Sequence, residues 1–196
     1  MTFRIEEKVI LHISDYFKIL KIMGTENKNL RLFPSRKISS LYFDNKDNDM
    51  FVDAEEGNLP RKKIRIRTYP ESDKKMFFLE KKINSFEGKF KTTEPINKNQ
   101  FDDFIKRGIF DKTYNNCTQK FWVSYEREYF SYLGARFTVD KNINFQINNR
   151  YINTISDKII LEVKSKNLSI DIFDGKFPFM RSRFSKYCEG FKLMFN

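Results

Sequence analysis

At 196 residues the chain is long enough for one large domain with a sizeable core, and 40% hydrophobic content with 22 Phe and 9 Tyr excludes a disordered protein. A formal charge of +11, from 37 basic and 26 acidic residues, favours an anionic partner such as nucleic acid, anionic membrane, nucleotide or polyphosphate. The two cysteines, Cys117 and Cys188, are far apart without a CxxC, which argues against a structural zinc site. The start of the chain has no apolar signal core, and no apolar run approaches the ~20 residues that cross a bilayer. The expectation is therefore a cytoplasmic protein without a membrane span, folded as a single domain over residues 1–196.

Residues 3–12 alternate as a strand, with Arg4, Glu6 and Lys8 on one face and Ile5, Val9 and Leu11 mostly on the other. Ser14 has the chemistry of a helix N-cap, and Tyr16, Phe17, Leu20 and Met23 form the apolar stripe of a helix that stops at Gly24. Residues 39–44 predict a second strand, and 44–60 a loop broken by Gly57 and Pro60. Residues 61–69 are a basic strand: Arg61, Lys63, Arg65, Arg67 and Tyr69 share one face, while Ile64 and Ile66 take the other. Residues 76–83 are its hairpin partner across a turn at 70–75, and 89–93 form a further short strand. An amphipathic helix over 97–108 buries Phe101, Phe104 and Ile105. Strands at 121–130, 135–145 and 158–165 then precede a C-terminal helix over 179–188. Many antiparallel-looking strands with a few helices indicate an α+β domain.

The charged faces of these strands repeat one theme. Glu80 and Lys82 lie on the partner of the basic strand; Tyr125, Arg127 and Tyr129, then Arg136, Thr138 and Asp140, then Glu162 and Lys164 follow on the later ones. Glu126 and Glu128 alternate with Arg127 and read as solvated. An antiparallel sheet commonly keeps one wet face, which alone accounts for charge on any single strand. Arginine, however, stands at five of these positions (Arg4, Arg65, Arg67, Arg127, Arg136), and its planar fork suits bidentate phosphate binding. Turned inward by closure of the sheet, so many cations need a polyanion between them. Repulsion along the basic strand leads to the expectation that a neutral residue at Arg65 or Arg67 leaves the fold no less stable. Trp122 reads as core rather than as an adenine platform, and the lone His12 as structural. No GxxxxGK[ST] or GxGxxG loop is present, so a glycine-loop phosphate site is excluded.

In order along the chain stand Arg4-x-Glu6-x-Lys8, Ser40-Leu41-Tyr42-Phe43-Asp44, Lys63-x-Arg65-x-Arg67-x-Tyr69 and Leu79-Glu80-x-Lys82. They are followed by Tyr125-x-Arg127, Arg136-x-Thr138-x-Asp140, Leu161-Glu162-x-Lys164 and Ser185-Lys186-Tyr187. This series resembles the VTC domain, the polyphosphate-polymerase branch of the triphosphate tunnel metalloenzymes. The resemblance implies an eight-stranded antiparallel β-barrel that encloses a triphosphate tunnel, with a few flanking helices. It implies an ATP-dependent polyphosphate polymerase that uses Mn2+ or Mg2+ and transfers the γ-phosphate of ATP to a growing chain. ATP and inorganic polyphosphate are then the partners, no specific nucleic acid is expected, and the oligomeric state stays open. By position, the resemblance makes Lys8, Arg65, Arg67, Arg127 and Arg136 the catalytic set. It makes Arg4, Lys63, Lys82, Lys89, Lys91, Lys164 and Lys186 phosphate-binding, and Glu162 and Glu6 metal ligands.

The departures bear on the reaction. Arg4 stands where the tunnel triphosphatases open with Glu, which removes one candidate metal ligand; Phe90 and Lys91 stand where many relatives carry an arginine pair. The Pro and Trp usual after the Glu-x-Lys motif are missing from residues 167–173. Two other functions remain in play: a metal-dependent triphosphatase acting on tripolyphosphate or a nucleotide, and a non-enzymatic polyphosphate- or RNA-binding module.

Overall fold

Period-two alternation builds most of the chain. The computed structural model describes residues 5–23, 31–72, 76–148, 150–152, 157–165 and 179–195. Its strands are β1 (Ile5–His12), β2 (Arg31–Asp44), β3 (Arg61–Thr68), β4 (Phe77–Ser85), β5 (Gly88–Ile96), β6 (Ile109–Asp111), β7 (Asn115–Tyr132), β8 (Ala135–Ile147), β9 (Arg150–Ile152) and β10 (Lys158–Ser165). The hydrogen-bonded order is β1-β10-β8-β7-β2-β3-β4-β5, with β6 beside β7 and β9 beside β8. Eight strands thus form the main path, as expected for this α+β class, and the two extra strands are three residues each. Among the described residues no helix is long and apolar enough to cross a membrane.

The chain divides into two compact units. The first comprises residues 1–36, 125–144 and 153–184. Val9, Leu11, Phe130, Phe137, Val139, Leu161 and Val163 form its core with Ile19 and Met23 of helix α1 (Tyr16–Met23). Ser14 is not the cap: it lies in a 3-10 turn (Ile13–Asp15) that His12 caps, the ring Nδ1 accepting the Ser14 N–H at 3.2 Å. The expected stripe shifts accordingly, since Ile19 is buried while Phe17 is 74% exposed. Residues 179–185, where the sequence predicts the start of the C-terminal helix, are not helical, and Ser182 lies beside β1. The Ser182 N–H donates to the Lys8 carbonyl at 2.8 Å and the Ile10 N–H to Ser182 Oγ at 3.1 Å, so Ser182 meets β1, the end strand of the path.

The second unit comprises residues 37–124, 145–152 and 185–196. Its helices are α2 (Asp49–Glu56), α3 (Lys98–Arg107) and α4 (Lys186–Phe195). Helix α2 occupies the stretch that reads as loop in sequence. Asp44, fully buried at the end of β2, explains it: its carboxylate accepts the N–H groups of Met50 and Phe51, both at 3.1 Å, and so caps the helix from a distance. The Tyr187 hydroxyl donates to the same carboxylate at 2.5 Å and ties α4 to β2. Asn97 and Gln100 form the capping box of α3, and Gly108 ends it at a left-handed φ of 83°. Phe101 stacks on Phe77 with ring centroids 4.4 Å apart. Phe121, Tyr187 and Phe191 hold α4 down, Phe191 also stacking on Phe51 at 4.6 Å.

Candidate functional site

The basic strand β3 lies in the second unit between β2 and β4. Register places Tyr42, Arg65, Glu80 and Thr93 in one row across β2, β3, β4 and β5, and Lys63, Lys82 and Lys91 in the next. Three lysines directly abreast repel one another. One carboxylate gathers the cations around them. Glu80 is buried, and its Oε2 accepts Arg65 Nε at 2.7 Å and lies 2.7 Å from Arg65 Nη2. Its Oε1 accepts Lys91 Nζ at 2.6 Å and lies 3.5 Å from Arg67 Nη1. Burial pushes the Glu80 carboxyl up, but Arg65, Arg67 and Lys91 outweigh it and hold it down at about 2. Arg65 Nη1 also donates to the Tyr42 hydroxyl at 2.9 Å.

Of the other cations expected on this face, Lys63 points at helix α4. Its ammonium donates to Ser185 Oγ at 2.8 Å and sits 5.3 Å above the Tyr187 ring. Burial lowers its pKa, partly offset by the Cys188 thiol. Lys91, not Lys89, reaches Glu80; Lys89 is exposed, opposite Asn84. Lys186 opens α4 directly after Ser185. A recess of about 360 Å³ lined by Lys62, Lys81, Phe110, Asp111 and Lys112 lies on the other face of β3 and β4, and contains none of the expected site residues.

The first unit carries a second charged face. Register aligns Glu6, Lys164 and Arg136 in one row across β1, β10 and β8, and Lys8, Glu162 and Thr138 in the next. Lys164 Nζ lies 2.8 Å from Glu162 Oε1 and 3.7 Å from Glu6 Oε2, and Lys8 Nζ lies 3.9 Å from Glu162 Oε2. Lys8 also donates to the Phe184 carbonyl at 3.1 Å. Burial raises the Glu162 carboxyl, yet Lys8, Lys164 and Arg127 together hold it well below the ordinary carboxylate range. Arg127 grips buried Asp140 with both arms of its fork, Nε to Oδ1 at 2.6 Å and Nη2 to Oδ2 at 2.7 Å, and lies 5.3 Å over the Tyr125 ring. Arg136 is exposed, and Arg4 lies outside the described residues.

Among the described residues no three His, Cys, Asp or Glu side chains are placed to hold a metal ion together. A hard divalent ion such as Mg2+ needs less: one or two carboxylates, waters and the phosphates of its substrate. Glu162 and Glu6 fit that mode, because Lys164 already joins the two carboxylates through one cation. They do not fit a metal cage made by protein alone.

Sequence reasoning missed several groups. Glu80 and Asp140 stand among the charged-face residues of the sequence, and Tyr42 only in the motif of residues 40–44, but register alone shows what they hold. Glu128 is not solvated: it is buried and accepts from the Tyr16 hydroxyl and from Lys141 Nζ at 2.9 Å, with Arg31 Nη2 3.8 Å away. Arg65 is not simply repelled by its neighbours, since Glu80 and Tyr42 both bind it.

The VTC domain family model matches residues 3–122 and 109–195. The chain belongs to the VTC domain family. No curated protein matches the sequence. Among solved structures, a Bacillus halodurans protein provisionally assigned as an adenylate cyclase superposes with a TM-score of 0.63 at 10% identity, over 100% of both chains. A Hippeastrum protein first assigned as an adenylyl cyclase, and described as having a dominant triphosphatase activity, gives 0.61 at 13% identity over 99% of this chain and 98% of its own. A chain of the Schizosaccharomyces pombe Mediator head module gives 0.55 at 8% identity over 86% of each chain. At these identities the likeness establishes the fold alone, which this chain shares with these neighbours. The breadth of this set is a reminder that the VTC domain fold does not by itself fix an activity.

Proposed function

We propose that this VTC domain is an ATP-dependent polyphosphate polymerase. The observation that carries this reading is the row Lys63, Lys82 and Lys91, bordered by Arg65 and Arg67, with Glu80 shared by three cations. Such a face is relieved by an anion with several closely spaced charges, and a triphosphate or a phosphate chain has that form. Family membership supports the transfer of phosphate to phosphate.

In this reading the terminal oxygen of a phosphate chain attacks the γ-phosphorus of ATP. The bond from the γ-phosphorus to the bridging oxygen breaks, ADP leaves with the electron pair, and the chain grows by one unit. No protein nucleophile takes part; positioning and charge stabilisation do the work. Arg65 and Arg67 provide forks for phosphoryl oxygens, and Lys82 and Lys91 provide point charges. Glu80 holds the two arginines and Lys91 in place before substrate arrives. On the other charged face Lys8, Lys164, Arg127 and Arg136 bind phosphate in the same manner. A divalent ion held by Glu162 and Glu6 would neutralise charge on the phosphates.

Incubation with ATP and Mn2+ tests the proposal. The expected products are ADP and a polymer visible on a gel, with free phosphate minor, and added short polyphosphate is expected to shorten any lag. The second reading, a triphosphatase, is favoured by the activity described for the Hippeastrum neighbour. It replaces the first if ATP or tripolyphosphate yields stoichiometric free phosphate and no polymer. Glu162→Gln keeps shape and removes charge, so it is expected to raise the Mn2+ concentration needed for half-maximal activity about 10-fold while ATP binding persists. An unchanged Mn2+ titration would remove Glu162 from the metal site.

A further inference from the structure

Among the described residues three buried hydroxyl oxygens have no hydrogen-bond partner: Ser40 Oγ, Thr68 Oγ1 and Thr138 Oγ1. A buried hydroxyl without a partner is unfavourable and is rare in native proteins. Two of the three share a feature that the third lacks. Thr138, 3% exposed, stands on β8 between Arg136 and Asp140 and directly opposite Glu162, on the charged face of the first unit. Ser40, 1% exposed, stands on β2 directly opposite Arg67, on the charged face of the second. Thr68 follows Ile64 and Ile66 on the apolar side of β3.

We propose that the hydroxyls of Thr138 and Ser40 are phosphate-binding groups, each donating a hydrogen bond to a phosphoryl oxygen bound at the charged face of its own unit. This inference rests on the triphosphate reading above and deepens it. A hydroxyl has one donor and rotates to suit its acceptor, so it adds direction to a face whose other donors are charged. It also explains why these positions tolerate an unmet donor: the partner arrives with the substrate. Neither hydroxyl belongs to the cationic set, and loss of either leaves the charge of its face unchanged. A defect in binding would therefore report a hydrogen bond and not a field.

Calorimetric titration with inorganic tripolyphosphate, without metal or turnover, tests this on the full chain. Thr138→Val is close to isosteric and removes only the hydroxyl; Ser40→Ala does the same at its site; Thr68→Val is the control. Thr138→Val and Ser40→Ala are each expected to weaken tripolyphosphate binding roughly 10-fold, the scale of one hydrogen bond to a charged group. Thermal midpoints without ligand are expected to stay level or rise, and the stabilisation that tripolyphosphate confers is expected to shrink. Thr138→Ser, which keeps the hydroxyl, is expected to restore binding, and Thr68→Val to leave it unchanged. If wild type and both variants bind alike, the inference falls and the triphosphate reading stands. A lower ligand-free midpoint with unchanged affinity also overturns it, because the hydroxyl then serves the fold. If the wild type binds no tripolyphosphate, the functional reading fails and takes this inference with it.

Discussion

Glu80→Ala is expected to destabilise the protein by about 3–5 kcal/mol, because it strips the buried carboxylate shared by buried Arg67, partly buried Arg65 and the more exposed Lys91. Arg65 and Arg67 are at most partly exposed, and Lys63, Lys82 and Lys91 stand abreast beside them. Arg65→Ala is accordingly expected to lower stability, and not to relieve repulsion as the sequence alone implies, since it withdraws two contacts from buried Glu80 and one from Tyr42. Acid gives the same result by another route. The Glu80 carboxyl ionises at about 2 in the fold against an ordinary value of 4.5. A carboxyl depressed in the folded state contributes its full stabilisation above the ordinary value, and that contribution is lost as pH falls from about 4.5 to about 2. The size is about 3 kcal/mol at 1.36 kcal/mol per unit. Urea titrations between pH 7 and pH 2 check both points: Glu80→Gln is expected to flatten the loss of stability across that window. A Glu80→Ala variant as stable as wild type at pH 7 would show that the cations do not depend on this carboxylate.

Much of this fold is legible because a strand alternates. The basic strand, its hairpin partner and the strand at 158–165 fall where the sequence places them, and the faces follow from period two. What the sequence hides is whatever depends on a partner remote in the chain. Helix α2 starts from a left-handed Asn48 that caps nothing with its side chain; its first donors are met instead by Asn45 and Asp44, which lie before the usual cap position. The C-terminal helix starts at Lys186, later than its apolar pattern suggests, and Ser182 ahead of it bonds instead to β1. Glu128 reads as solvated because alternation says which side a residue faces but not what waits there; α1 brings Tyr16 to it, and β8 brings Lys141. The charged faces are visible residue by residue, yet the lysine row and the carboxylate shared by three cations appear only when register is known.

The pair Arg127–Asp140 offers a separation of stability from function. Asp140 is buried and holds Arg127 by two short bonds, so Asp140→Ala leaves a guanidinium without the carboxylate that grips its fork. A loss of about 3–5 kcal/mol is expected. Arg127→Lys retains the charge but cannot span both oxygens, and a smaller loss of about 1–3 kcal/mol is expected from the missing bond. Replacement of both partners by apolar residues of similar size, Arg127→Met with Asp140→Leu, removes the uncompensated charge together with the pair. Its stability is expected to return to within about 1–2 kcal/mol of wild type, far less than the sum of the single losses. Tripolyphosphate affinity should not return, because the charge proposed to meet phosphate is gone from the face that also carries Lys8 and Lys164. Denaturant titration beside calorimetric tripolyphosphate titration reads the two effects independently. A double variant that regains both stability and wild-type affinity would show that Arg127 serves only to satisfy Asp140, and would take it out of the phosphate-binding set.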